Sequence, residues 1–241
     1  MKSYQKGIGY RYLLKTKYYP DRPFIDDLGR IESPPLYKVY PEAPRIALPK
    51  QFDFTLPEFT SIIASRRSHR HFTASFLTLS ELAFLLWASQ GITSPQGYRA
   101  APSAGALYPV ETYLSVHRVQ DVPAGIYHFN VRDFCLERLV KGDFAPVLGA
   151  MSLGQSVIKR AAVVFIWTAV ILRSMAKYRN RAIRYIFLDA GHICQNVLLA
   201  VTALNLGACP VGAFFDEEID RLLGIDSETE MTIYLTAVGK L

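Results

Sequence analysis

The stretch AAVVFIWTAV, residues 161–170, is an unbroken run of apolar and β-branched residues interrupted only by Thr168. A strand sends alternate side chains to opposite faces, so a run with no polar alternation must be covered on both. The chain therefore needs at least three layers, with this segment as a central strand of the middle one. A second long apolar stretch, YIFLDAGHICQNVLLAVTALNL (185–206), contains Asp189, His192, Gln195 and Asn196. Lipid would penalise those groups, so the spacing predicts a buried helix over about 183–206 and no membrane partner. The four polar residues recur at intervals of three to four and share one face. They could line a pocket or satisfy one another in a core.

Other elements are read around these two. PEFTSIIASRR predicts a short helix. TLSELAFLLWASQG predicts a longer one, with Thr78 and Glu81 as a capping box, Leu82, Leu85, Leu86 and Ser89 on its period, and Gly91 at its end. ETYLSVHRV (111–119) has strand composition, and GIYHF and FCLERL flank a turn as a hairpin. DEEIDRLLG reads as a short helix capped by Asp216 and stopped by Gly224, and MTIYLTAVG (231–239) as a last strand. Strands and helices come in clumps instead of strict alternation. This favours an α+β fold with a mixed or antiparallel sheet flanked by helices. There is no GxGxxG after a strand and no GxxxxGK[ST], so neither a Rossmann unit nor a P-loop is indicated.

Residues 1–50 differ from 51–241. They hold seven of the fourteen tyrosines, seven of the fourteen prolines, and a charge of +5 out of a chain total of +6. No helical or strand period runs through them, and they read as an extended arm laid along a surface, that of a partner subunit being one choice. The 241 residues suffice for one sizeable domain. The mild basic excess suits an anionic ligand, but its residues are too scattered for a nucleic-acid stripe. Cys135, Cys194 and Cys209 are an odd number with no CxxC pair, which argues against zinc and a disulfide framework, and for a reducing cytoplasm. The first twelve residues lack the apolar core of a signal peptide.

Three stretches could carry chemistry. SRRSHRHF (65–72) supplies Arg66, Arg67, Ser68 and Arg70, forked donors and a hydroxyl suited to a phosphate. No acidic residue lies between 59 and 80, so His69 and His71 are not read as metal ligands, and the alternative is a solvated basic helix end. RAAPSAGALYPVE (99–111) leaves bare backbone at Ser103, Ala104 and Gly105, against which a flat ligand could lie. LGACPVGAFFD (206–216) reads as a second small-residue loop between two helices. Each of the latter two has an ordinary turn as its competing reading.

In this order, RRSHRHF, LSELAFLLWASQGI, AAPSAGALYPVE, GIYHF, KYRNRAIRYIFLDAGHICQN and GACPVGAFFD resemble the FMN-dependent nitroreductase superfamily. The likeness runs from about residue 57 to the C-terminus and is nearest to the SagB-type branch, the azoline dehydrogenases of thiazole- and oxazole-modified peptides. The resemblance implies an intertwined homodimer with two FMN molecules at its interface. It places Arg66, Arg67, Ser68 and Arg70 on the phosphate, ribityl and pyrimidine side. It places Pro102, Ser103, Ala104 and Gly105 on the isoalloxazine from the other subunit, and Gly212 and Ala213 as backbone donors near N5. Lys240 stands where other members carry a further basic group for the phosphate. Lys177 and Tyr178 occupy the place of the pair that removes a proton from the azoline ring. Arg173, Arg179, Arg181 and Arg184 lie close to them in sequence. The competing place for this pair is an exposed basic loop. A guanidinium near the flavin N1 and C2 carbonyl would stabilise the charge that reduction leaves there. The alternatives to peptide dehydrogenation are an NAD(P)H-dependent reductase of small quinones or nitroaromatics, and a protein that binds flavin or another ligand without turnover.

Overall fold

The computed structural model describes residues 2–21 and 28–241. Seven strands form one sheet: β1 (Arg45–Ala47), β2 (Val110–Val116), β3 (Gly125–Asn130), β4 (Cys135–Lys141), β5 (Val163–Val170), β6 (Leu206–Val211) and β7 (Glu230–Lys240). Their spatial order is β1-β4-β3-β2-β5-β7-β6, and each neighbouring pair is antiparallel. The sheet is thus antiparallel within the α+β class that the sequence predicts. The helices are α1 (Ile8–Lys15), α2 (Phe59–Ser65), α3 (Leu79–Gln90), α4 (Ala145–Met151), α5 (Ser156–Arg160), α6 (Ile171–Tyr178), α7 (Ala182–Ala203) and α8 (Asp216–Leu223).

The apolar run at 163–170 becomes β5, with every residue buried. Its side chains divide by parity. Val163, Phe165 and Trp167 join the cluster under α3 and α7, and Val164 and Ile166 join the cluster under α4, α5 and α8. Each large apolar side chain so buried contributes roughly 1.5–3 kcal/mol, which makes this strand the centre of the fold. The helical run Ile171–Ala203 is long and apolar enough to cross a membrane by composition alone. Half of its most apolar window is buried inside this protein, where α7 packs on α3 and β6.

The capping box of α3 forms as its sequence predicts: Glu81 N donates to Thr78 Oγ1 (3.1 Å) and Thr78 N to Glu81 Oε2 (2.8 Å). Gly91 ends α3 at φ −57°, because a Cβ there would lie 2.6 Å from Trp87 Cδ1. Gly224 ends α8 in the left-handed conformation, φ +68°.

Four expectations are revised. First, the 206–216 stretch is not wholly a loop, since Leu206–Val211 is edge strand β6, paired along β7. Its small residues leave room for the segment after α2: a Cβ on Gly207 would lie 3.0 Å from Phe72 and 3.2 Å from His69. Pro210 is tolerated because an edge strand leaves one side unpaired. Second, Phe215, not Asp216, is the N-cap of α8, and no side chain caps it. Asp216, Glu217 and Glu218 occupy the first turn, where carboxylates favour the positive end of the helix dipole. Third, residues 8–15 are helical although they carry no clear period and include Gly9. Arg184 of α7, some 170 positions away, holds this helix in place through three hydrogen bonds. Fourth, residues 171–178 form α6, an element that the sequence reading left unassigned.

The described part of the arm lies on its own subunit. Ile46 sits opposite Leu136 in the sheet, Lys38 pairs with Glu230, and Pro35 O accepts from Arg173 Nε at 2.7 Å.

Candidate active site

The residues singled out from the sequence fall into three groups, two of them at opposite ends of the central strands. The first lies where β6 begins and β7 ends. His69 N donates to Ala208 O (2.8 Å) and Thr73 N to Lys240 O (3.0 Å), so the RRSHRHF segment is stitched alongside these strands. Arg67, Ser68 and Arg70 are exposed and Arg66 half-buried. Arg67 donates only to the carbonyls of Ala64 and Arg66, and no ion pair to a carboxylate forms at any of the three arginines among the described residues. Lys240 reaches the same end of the sheet, but its ammonium lies 2.6 Å from Glu81 Oε1. Glu81 therefore serves the α3 cap with one oxygen and Lys240 with the other.

The second group gathers at the opposite end of β2 and β5. Ser103 Oγ donates to Asp189 Oδ2 (2.6 Å), Ala104 N donates to Asp189 Oδ1 (3.2 Å), and Tyr108 N donates to Ser103 Oγ (2.9 Å). Burial raises the Asp189 carboxyl above its usual range, against the lowering effect of those two donors. Asp189 is thus spent on shaping the loop. Asn196 donates to Ala88 O at 3.0 Å, whereas His192 and Gln195 are exposed. The polar residues of α7 split between these roles and do not form one pocket lining.

The loop so held is strained. Gly105, Ala106 and Tyr108 have φ of +66°, +55° and +43°, and Arg179, just after Tyr178, has +51°. Left-handed non-glycine residues each cost of order 1–3 kcal/mol and concentrate at functional sites. Lys177 and Tyr178 form the last turn of α6 and lie directly against this loop. A Cβ on Gly105 would stand 2.6 Å from Tyr178 Oη and 2.9 Å from Lys177 Nζ. Lys177 is exposed and its ammonium sits 5.4 Å from the Tyr178 ring centre. The tertiary structure therefore joins two stretches that the sequence presents separately.

What sets α6 in place went unread in the sequence. Arg173, four residues before Lys177, is buried, with its NH1 at 2.6 Å from Glu111 Oε1 and 3.0 Å from Tyr108 O. Glu111 Oε2 meets His128 Nε2 (3.2 Å), and His128 Nδ1 meets Glu137 Oε2 (3.0 Å). A neutral imidazole has one donor and one acceptor, so a ring facing carboxylates at both nitrogens is fully satisfied only as the imidazolium. Burial opposes that charge, but the bonds from Glu111 and Glu137 prevail and raise His128 above its ordinary value of 6.5. Burial likewise pushes both glutamates up, and His128, with Arg173 beside Glu111, holds them below 4.5. The chain of contacts runs from β4 through β3 and β2 to α6. Its signal in the sequence was faint: Glu111, His128 and Glu137 each sit within a predicted strand where apolar alternation lapses.

Gly212 and Ala213, the third predicted group, follow β6 at the level of Leu235 and are exposed. A Cβ on Gly212 would meet nothing within 4 Å, and Ala213 O accepts from Gln155 Nε2 (2.9 Å). The space beside this backbone is open to a ligand.

Within one chain the two main groups are far apart. Lys240 lies beyond the pairing of Val238 with Val163, and the Ser103–Gly105 loop precedes Val110, which pairs with Ala169. Six residue steps along β5 separate those levels, about 20 Å at the rise of a strand.

An antiparallel seven-stranded sheet packed against a long core helix defines an α+β protein. The Nitroreductase family profile matches residues 63–240, and the chain belongs to that family. The nitroreductase MJ1384 of Methanocaldococcus jannaschii is 37% identical over 179 residues, 74% of this chain and 89% of its own. Among further relatives is the microcin B17-processing protein McbC of Escherichia coli, 24% identical over 58% of this chain and 54% of its own. In three dimensions, a nitroreductase-type structure from Anabaena variabilis matches with a TM-score of 0.75 and 27% identity. It covers 96% of this chain, which in turn spans 46% of the Anabaena chain. The E. coli microcin synthetase McbBCD complex with truncated pro-MccB17 has the same fold at a TM-score of 0.64, over 81% of this chain.

Proposed function

We propose that this protein is an FMN-dependent oxidoreductase of SagB type that dehydrogenates azoline rings in a modified peptide. The observation that carries the reading is the packing of Lys177 Nζ and Tyr178 Oη against Gly105, the bare point of the strained loop. A base is needed where a substrate would lie between that loop and the helix end.

The residues present fit FMN. Among the described residues the guanidiniums of Arg66, Arg67 and Arg70 pair with no carboxylate, as a phosphate needs, and the Ser68 hydroxyl stands among them. Gly105 and Gly212 offer backbone without a side chain in the way of a flat ring. Lys240 would join the phosphate by sharing its proton donors with Glu81. When bound, FMN would accept two electrons from the substrate at N5. The chain's own groups do the rest. Lys177 and Tyr178 would take the ring proton, Ala104 and Gly105 would seat the flavin face, and Gly212 and Ala213 would offer backbone donors to the ring system.

The arginine end and the Gly105 end are too distant in one chain for a single flavin to touch both. A homodimer, with each site drawing one group from either copy, resolves this. Lys177→Ala and Tyr178→Phe should retain FMN while oxidation of an azoline-containing peptide falls about a hundredfold or more. Unchanged turnover in both variants would remove the base assignment. The likeness to MJ1384 supports a second reading, reduction of small acceptors by NAD(P)H. Rapid anaerobic bleaching of bound flavin by NADH or NADPH would favour it over the peptide reading.

A further inference from the structure

The N-terminal helix α1 is fastened to the turn that follows the Lys177–Tyr178 pair. Arg184 Nε donates to Thr16 Oγ1 (2.8 Å) and its NH2 to Leu13 O (2.5 Å), while its backbone N–H donates to Tyr12 Oη (3.0 Å). Arg181 donates through NH1 to Thr16 O and through Nε to Tyr185 Oη (2.8 Å), and lies 4.3 Å from the centre of the Tyr18 ring. Tyr185 in turn packs edge-on to Tyr178, with ring centres 4.8 Å apart. An unbroken series of contacts thus joins residues 12–18 to the proposed base.

Beside this joint lies a groove of about 450 Å³, bordered by Ile8, Arg11, Tyr12 and Lys15 of α1 and by Asn180. Its size suits a few residues of a ligand. Arg11 and Lys15 stand one turn apart on the same face. Much of the positive charge here meets no carboxylate among the described residues. Among the described residues no ion pair involves Arg11, Lys15, Lys17, Lys177, Arg181 or Arg184. Arg181 and Arg184 instead spend their donors on carbonyl and hydroxyl oxygens, which hold them in place and leave the positive charge intact.

We propose that this groove docks an acidic segment of the peptide substrate and delivers the adjoining ring to Lys177 and Tyr178. The inference rests on the peptide reading above and names the chemistry that this reading leaves open. The eight residues of α1 span about 12 Å, the reach of three or four extended peptide residues. Ile8 and Tyr12 give the groove an apolar border that a peptide uses and a phosphate backbone does not. A nucleic acid would call for a longer basic stripe.

The test is fluorescence anisotropy on the full chain with two labelled hexapeptides without azolines, Glu-Glu-Gly-Gly-Glu-Glu and Gln-Gln-Gly-Gly-Gln-Gln. The acidic peptide should bind about tenfold tighter, and salt raised from about 50 to about 300 mM should weaken it severalfold. Arg11→Gln combined with Lys15→Gln should cost about fivefold in affinity with helix content unchanged. Equal binding of the two peptides, or undiminished affinity in the double variant, overturns the proposal. So does tighter binding of an oligothymidylate that the same variant weakens. Should the double variant fail to fold, the salt series on the native protein decides by itself, and salt-independent binding rejects the groove. No ring or flavin enters this measurement. Acidic-peptide binding without azoline oxidation would therefore keep the groove and discard the dehydrogenase reading, and oxidation without acidic preference would do the reverse.

Discussion

The two ends of the central strands are built on opposite principles. At the Gly105 end buried polar groups are paired with one another: Ser103 with Asp189, Arg173 with Glu111 and Tyr108, His128 between two glutamates. At the Arg66–Arg70 end Arg67 and Arg70 are exposed and Arg66 half-buried, and the segment is held by backbone bonds to β6 and β7 and by the packing of Phe72. The first end places side chains against each other within ångströms, as a proton-transfer site requires. The second keeps its donors available for an anion, as a phosphate site requires. Preorganisation is bought with burial at one end, while the other leaves charge unspent.

Substitutions should expose that difference. The largest loss of stability is expected from Glu111→Ala, which leaves Arg173 and His128 buried without their shared acceptor and should cost about 3–5 kcal/mol in a urea titration. A loss below about 1 kcal/mol would show that the network is not what holds this end. Gly105→Ala should cost about 1–2 kcal/mol, since φ +66° strains a side-chain-bearing residue. Its Cβ would also displace the ends of the Tyr178 and Lys177 side chains, so turnover should drop by about tenfold or more. Native turnover in that variant would separate the pair from the loop.

Stability should also follow pH through the same network. His128 is raised, so its contribution is complete below 6.5 and fades as pH climbs through its higher folded value. Glu111 and Glu137 are lowered, so theirs is complete above 4.5 and fades as pH falls through their folded values. Thermal melts should peak between those limits, and His128→Gln should remove the decline on the alkaline side. The smallest stability effect, within about 0.5 kcal/mol, is expected of Arg67→Gln and Arg70→Gln at the open end. The same variants should weaken FMN by about tenfold each, read from flavin fluorescence.

Much of the fold was legible, for identifiable reasons. Leu82, Leu85 and Leu86 repeat at helical spacing and Thr78 and Glu81 cap them by local bonds, so α3 needed no tertiary information. β5 was legible because its apolar run has no solvent face. β6 was not, because Gly207, Ala208 and Pro210 are small or proline residues whose place is set by Phe72 and β7, not by local preference. α1 was missed for the same kind of reason. A short helix containing glycine is marginal alone, and Arg184 supplies what propensity lacks.

The candidate site divides in the same way. The order of RRSHR, PSAG, Lys177-Tyr178 and PVGAF can be read directly, since side-chain chemistry and spacing are local properties of a chain. Their geometry cannot. That Gly105 meets Tyr178, that Arg173 finds Glu111, and that Arg66 stands at the far end of the sheet from both are consequences of strand register and helix packing. Those long-range pairings are stabilised only when the layers close over β5, so they exist in the tertiary structure and nowhere in any single stretch of sequence.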